Sequence, residues 1–151
     1  MDKLSIEYVV DSAGWAEARI SNSKDKAIVT VSYLHDSLLE LAQMAISLRN
    51  GTKEAKVIFM DEPGEHQFIV STEGKGASYE VRWYSDWESW GFRNKSEYKL
   101  VLKGIAPVQR IVQQITQALW HIHEEIGPVK YKELWVEHEF PEKQFKELMN
   151  V

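Results

Sequence analysis

The apolar residues of this chain switch between a period of two and a period of three to four, and that switching constrains its fold more than any other feature. In LSIEYVV, Leu4, Ile6, Tyr8 and Val10 alternate; in WAEARIS, Ala16, Ala18 and Ile20 alternate opposite Trp15, Glu17 and Arg19; in KAIVTVSY, Ala27, Val29, Val31 and Tyr33 alternate. Alternation is the mark of a half-buried strand, because successive side chains leave a strand on opposite faces. DSAG and NSKD between these runs are turn chemistry, so a three-stranded antiparallel meander is predicted. Leu34, Leu38, Leu41, Ala45 and Leu48 then recur at helical spacing, which predicts a core-facing helix over 37–50. Ser37 and Glu40 have the spacing of a capping box at its start, and Gly51 stands where a left-handed residue ends a helix.

Four more strand-like runs follow, KVIFMD, HQFIVST, SYEVRWYS and EYKLVLKG. The first two are joined by DEPGE, where Pro63 and Gly64 fit the second and third positions of a type II turn. A second helix is predicted from Pro107 at its first position, with Val108, Ile111, Val112, Ile115, Leu119, Ile122 and Ile126 on one face, ending at Gly127 and Pro128. A short last helix starts at Pro141 and turns Phe145 and Leu148 inward. No linker or repeat divides the 151 residues, so one α+β domain over 1–151 is expected. Its predicted form is a largely antiparallel six- or seven-stranded sheet, with two long helices and a short C-terminal helix on one face and the other face partly open.

Composition narrows the partners. Eighteen basic against twenty-three acidic residues give a net charge of −5, and the basic residues are scattered singly, which argues against nucleic acid. The chain has no cysteine, which fits a reducing compartment and removes thiolate chemistry. Its first residues lack a signal-like apolar run and no segment is apolar enough to span a membrane, so a cytoplasmic location without membrane contact is expected.

Two stretches offer a site. In WYSDWESWGF, Trp83 keeps the alternation of Tyr79 and Val81 and is assigned to the core, while Trp87 and Trp90 fall in a following loop with Asp86 and Glu88, beside Tyr84. Loop indoles beside carboxylates either stack on a flat or cationic ligand or fold back as a plug over the sheet end. In DEPGEH, Asp61, Glu62, Glu65 and His66 lie within six residues. Such a group can separate carboxyl pKa values for acid and base work, or with the histidine hold a divalent metal, or it is simply a solvated hairpin tip. His121 and His123 are two apart on a helix and cannot chelate one ion, whereas His121 can pair with Glu124 or Glu125 on the surface. No metal or other cofactor is expected, and no nucleophile elbow, P-loop or dinucleotide fingerprint is present.

GWAEARIS, SYLHDSLLEL, DEPGE, the tryptophan-rich strand end and WVEHEFP together resemble a family of small bacterial proteins of about this length that is itself uncharacterised. The resemblance implies a bacterial cytoplasmic protein and carries no activity, cofactor or catalytic residue. Two functions are expected from the residues. One is a noncatalytic module of inhibitor or immunity type that recognises another protein. The other is a small-molecule binder or carboxylate-based enzyme with its site between the 61–66 hairpin and the 84–90 aromatic loop.

Overall fold

The computed structural model describes residues 3–11, 14–87, 97–135 and 138–150. Strands β1 (Ser5–Val10), β2 (Trp15–Ser21) and β3 (Lys26–Ser32) precede helix α1 (Ser37–Arg49). Strands β4 (Glu54–Met60), β5 (Glu65–Glu73), β6 (Gly76–Tyr84) and β7 (Lys99–Pro107) follow, then helices α2 (Val108–Glu125), α3 (Pro128–Trp135) and α4 (Glu142–Met149). All strand pairs are antiparallel, as the alternating runs require. The alternating apolar residues of the meander, from Leu4 to Val31, are buried, and they share one core with the α1 stripe and with Ile111, Ile115, Leu119 and Ile122 of α2.

The seven strands do not form one sheet. They divide into a three-stranded sheet ordered β1-β2-β3 and a four-stranded sheet ordered β4-β5-β6-β7. The break has a visible cause at Ile58 on the outer edge of β4. Its N–H, free to pair with a neighbouring strand, is accepted by Glu40 Oε1 of α1, and its carbonyl accepts from Ser37 Oγ at 2.6 Å. The first turn of α1 therefore takes the place of a strand. The other sheet is sealed likewise: Gln114 Oε1 of α2 accepts from Ile6 N at 3.2 Å, and Arg110 Nε donates to Leu4 O at 2.9 Å. Each long helix covers an edge that would otherwise invite pairing with another chain.

Several local assignments differ from those expected. Ser37 and Glu40 are not a capping box; Asp36 is the N-cap of α1, its Oδ1 accepting from Leu39 N at 3.3 Å. Pro107 ends β7 and occupies the N-cap of α2, with extended φ −61° and ψ 142°, instead of the first helical position. The 61–64 turn has a cis Glu62–Pro63 peptide with Asp61 N donating to Gly64 O at 2.9 Å, so Pro63 is third, as in a type VI turn, and the type II expectation fails. A second short helix, α3, forms over PVKYKELW, where the sequence predicts none, and buries Tyr131 and Trp135. α4 does bury Phe145 and Leu148 as its spacing predicts.

Candidate functional site

The ladder β5–β6 decides where the two candidate stretches meet. Glu65 pairs with Tyr84 and His66 with Trp83, so the end of the DEPGEH hairpin lies directly beside the end of the tryptophan-rich strand. The contact is closed at the tip, where Trp87 Nε1 donates to Asp61 O at 2.8 Å. Asp61 Oδ1 accepts from Glu62 N, and Asp86 Oδ1 from Trp87 N, both at 2.8 Å. These two carboxylates order their own turns. Trp87 is half-buried, neither a free platform nor a core residue, and it fixes the hairpin tip to the segment after β6. Exchanging it for phenylalanine removes the N–H and leaves the Asp61 carbonyl short of a donor, which is expected to cost about 1 kcal/mol in chemical denaturation.

Strand faces separate the remaining residues. Trp83 and His66 share the face of Val81 and Phe68 but lie past the end of the core, so Trp83 is half-buried, contrary to the core assignment. Its ring meets the His66 imidazole with centroids 4.7 Å apart. Burial pushes His66 down to about 4, and its Nδ1 is buried without a partner among the described residues.

On the opposite face stand Glu65, Gln67 and Tyr84, with 0%, 2% and 1% exposure. Their β4 neighbours on this face, Met60 and Ile58, are buried as well, so this end of the sheet is covered on both sides and the reading of Glu65 as part of a solvated tip is wrong. Gln67 Nε2 donates to Glu65 Oε2 at 2.7 Å. Tyr84 packs on Tyr98 with ring centroids 5.6 Å apart, and the Arg82 guanidinium sits 4.3 Å from the Tyr98 centroid. Tyr84 is therefore an internal member of this group and not a surface contact. Only Glu62 is the exposed carboxylate expected of a tip, and its Oε2 accepts from Ser32 Oγ at 3.1 Å. Glu88 and Trp90 lie outside the described residues.

Sequence reasoning missed the neighbouring β3–α1 junction. His35 Nε2 lies 3.1 Å from Glu40 Oε1, and the electrostatic reach of His35 extends to Asp36 and Glu65. His138, from the segment after α3, bonds Tyr33 O through Nε2 at 2.9 Å and faces Asp36 Oδ2 with Nδ1 at 3.7 Å. Close to Asp36 are the hydroxyls of Tyr8 and Tyr131, both raised chiefly by burial, and neither has a partner among the described residues. SYLHDSLLEL held the available clue: its His-Asp pair precedes a helix, and Asp is a favoured N-cap. Nothing in the chain order links it to His138.

Other expectations concern single features. His121 Nδ1 lies 3.4 Å from Glu125 Oε1 on the surface of α2, the pairing its spacing predicts. Among the described residues no three His, Asp or Glu side chains are grouped to hold a metal ion, and no helix is long and apolar enough to cross a membrane. No protein-family model, curated protein or solved structure matches the chain.

Proposed function

We propose that the chain is a noncatalytic recognition module, of inhibitor or immunity type in a bacterial cytoplasm, that binds another protein through the exposed β7 side of the four-stranded sheet. The supporting observation is the placing of exposed apolar side chains. Of eight large hydrophobic residues exposed among the described residues, Tyr98, Leu100 and Ile105 stand on or next to β7, the outermost strand of its sheet, with 38%, 42% and 55% exposure. Lys103 stands between Leu100 and Ile105 on the same face, and Arg82 stands opposite Leu100, so a partner with an apolar centre and an acidic rim is matched. Apolar centres enclosed by polar rims carry most of the energy of protein interfaces.

Affinity capture from the native host tests this reading, with the wild type beside a Leu100→Glu/Ile105→Glu variant whose circular dichroism and melting are unchanged. A partner held by the wild type and weakened at least about tenfold by the variant supports it, since burying two carboxylates in an apolar contact costs upward of about 1.4 kcal/mol. A partner indifferent to both substitutions counts against this face.

A second reading keeps its place because of Glu65. A small polar ligand held beside Glu65, Gln67 and Tyr84, next to the Trp87-anchored hairpin, is supported by the complete burial of a carboxylate beside a hairpin tip. Small-molecule screening by ligand-observed NMR separates the two readings: hits lost on Glu65→Gln but kept by the Leu100/Ile105 variant favour the ligand site.

A further inference from the structure

We propose that the β3–α1 junction is a proton-operated latch, in which His35 and His138, when protonated, clamp the segment after α3 and the edge of β4 to the first turn of α1. Three separate parts of the chain meet there. Asp36 caps α1, Glu40 holds the Ile58 N–H of β4, and His138 comes from the C-terminal segment. Each carboxylate faces a histidine, Glu40 at 3.1 Å from His35 and Asp36 at 3.7 Å from His138.

Hydrogen-bond chemistry fixes the proton requirement at His138. A carbonyl oxygen only accepts, so the bond to Tyr33 O places the hydrogen on Nε2. A neutral His138 then turns the Nδ1 lone pair toward the Asp36 carboxylate, whereas an imidazolium turns an N–H toward it. Protonation converts an unfavourable facing into an ion pair. At His35 the demand comes from the surrounding charge: Glu40 of α1 is hydrogen-bonded to it, and Asp36 and Glu65 of β5 add to the same field. Around Asp36 the facing groups are His138, His35, Glu40, Tyr8 of β1 and Tyr131 of α3. Both tyrosines stay neutral, and the His35 imidazole, raised by its bond to Glu40, is the group whose protonation relieves the carboxylates.

Directions of titration agree with this arrangement. The hydrogen bond to Glu40 raises His35 above its ordinary 6.5 against the opposing effect of burial, and burial raises Asp36 above its ordinary 3.8. Both groups bind protons more tightly in the folded chain. Their stabilisation is full below the unfolded values and is lost as pH rises through the folded ones. Near neutrality His35 is the group that matters, and the latch opens as pH climbs through its folded midpoint.

The experiment is amide hydrogen exchange on the full chain at pH 5.5 and 8.5, corrected for intrinsic rates, read at Ile58, Leu39 and residues 138–150, together with an NMR titration of the histidines. Protection at these amides is expected to fall several-fold, roughly three- to tenfold, at the higher pH while the β5–β6 ladder stays protected. In a His35→Gln/His138→Gln variant the fall is expected to vanish. Equal protection at both pH values overturns the latch, as does a fall that persists in the variant. Should the variant not fold, the His35 titration in wild type and Glu40→Gln decides: a midpoint above 6.5 that drops in Glu40→Gln supports the latch, and a midpoint at or below 6.5, or one that Glu40→Gln leaves in place, refutes it.

Discussion

Gly64→Ala is expected to destabilise the protein by about 3 kcal/mol or more, seen as a lower denaturation midpoint with unchanged slope. Two causes act together. The residue has φ +95°, where a Cβ is strained, and that Cβ would fall 2.4 Å from Cη2 of Trp83 and 2.8 Å from the carbonyl oxygen of Tyr84. The indole can shift, but the carbonyl belongs to the β6 backbone opposite and cannot move without disturbing the ladder. The same substitution at Gly51, which also has positive φ but nothing within 4 Å of an added Cβ, is the control and should cost only its backbone strain, about 1 kcal/mol. Equal effects at the two glycines would show that backbone conformation, and not the close approach of hairpin and aromatic strand, sets the cost. Because Gly64 lies between Asp61 and His66, the substitution also tests whether the candidate site holds together as one unit.

His66 is expected to make the protein sensitive to acid. Its imidazole titrates at about 4 in the folded chain because burial disfavours the cation, against 6.5 when unfolded. A lowered folded value means that the His66 contribution to stability is complete above 6.5, declines as pH falls, and is fully lost below about 4. The shift corresponds to at most about 3 kcal/mol, reduced by the partial exposure of the residue. His35 and Asp36 change in the opposite sense as pH falls, so the contribution is read as a difference between wild type and His66→Phe, which keeps a ring against Trp83. Denaturation of both proteins at pH 7.5 and 4 should show the wild type losing more stability than the variant. Parallel losses would mean that His66 has no special part in acid unfolding.

The sequence was most legible where neighbours along the chain decide the outcome. Leu4, Ile6, Tyr8 and Val10 had to share a face whatever lay opposite, because a strand alternates, and they are buried together. The same holds for the stripe of α1 and for Phe145 and Leu148 of α4. The turn at 61–64 was legible as a turn from Pro63 and Gly64 but not as to type, since the isomer of the Glu62–Pro63 bond is not written in the dipeptide. α3 escaped because PVKYKELW is too short and too polar to show a period by itself.

For the candidate site, the division falls between strand register and side-chain environment. Alternation along β6 placed Trp83 and Tyr84 on opposite faces from sequence alone, and hairpin signals placed DEPGEH at a strand end. That Glu65 lies opposite Tyr84 and that Trp87 reaches Asp61 are outcomes of long-range pairing, 19 and 26 residues apart, for which local patterns carry no information. Burial was reversed for the same reason: Trp83, large and apolar, runs past the core, while Glu65, charged and next to a turn, is shut away from water. The separation into two sheets rests on Glu40 and Ser37 reaching Ile58, and the junction of Asp36 with His138 spans 102 residues. By itself the sequence determined which face of each element is apolar, because that depends on backbone period. Only the tertiary structure decided which polar groups meet, because a side chain finds its partner through the packing of elements whose order in space the chain does not state.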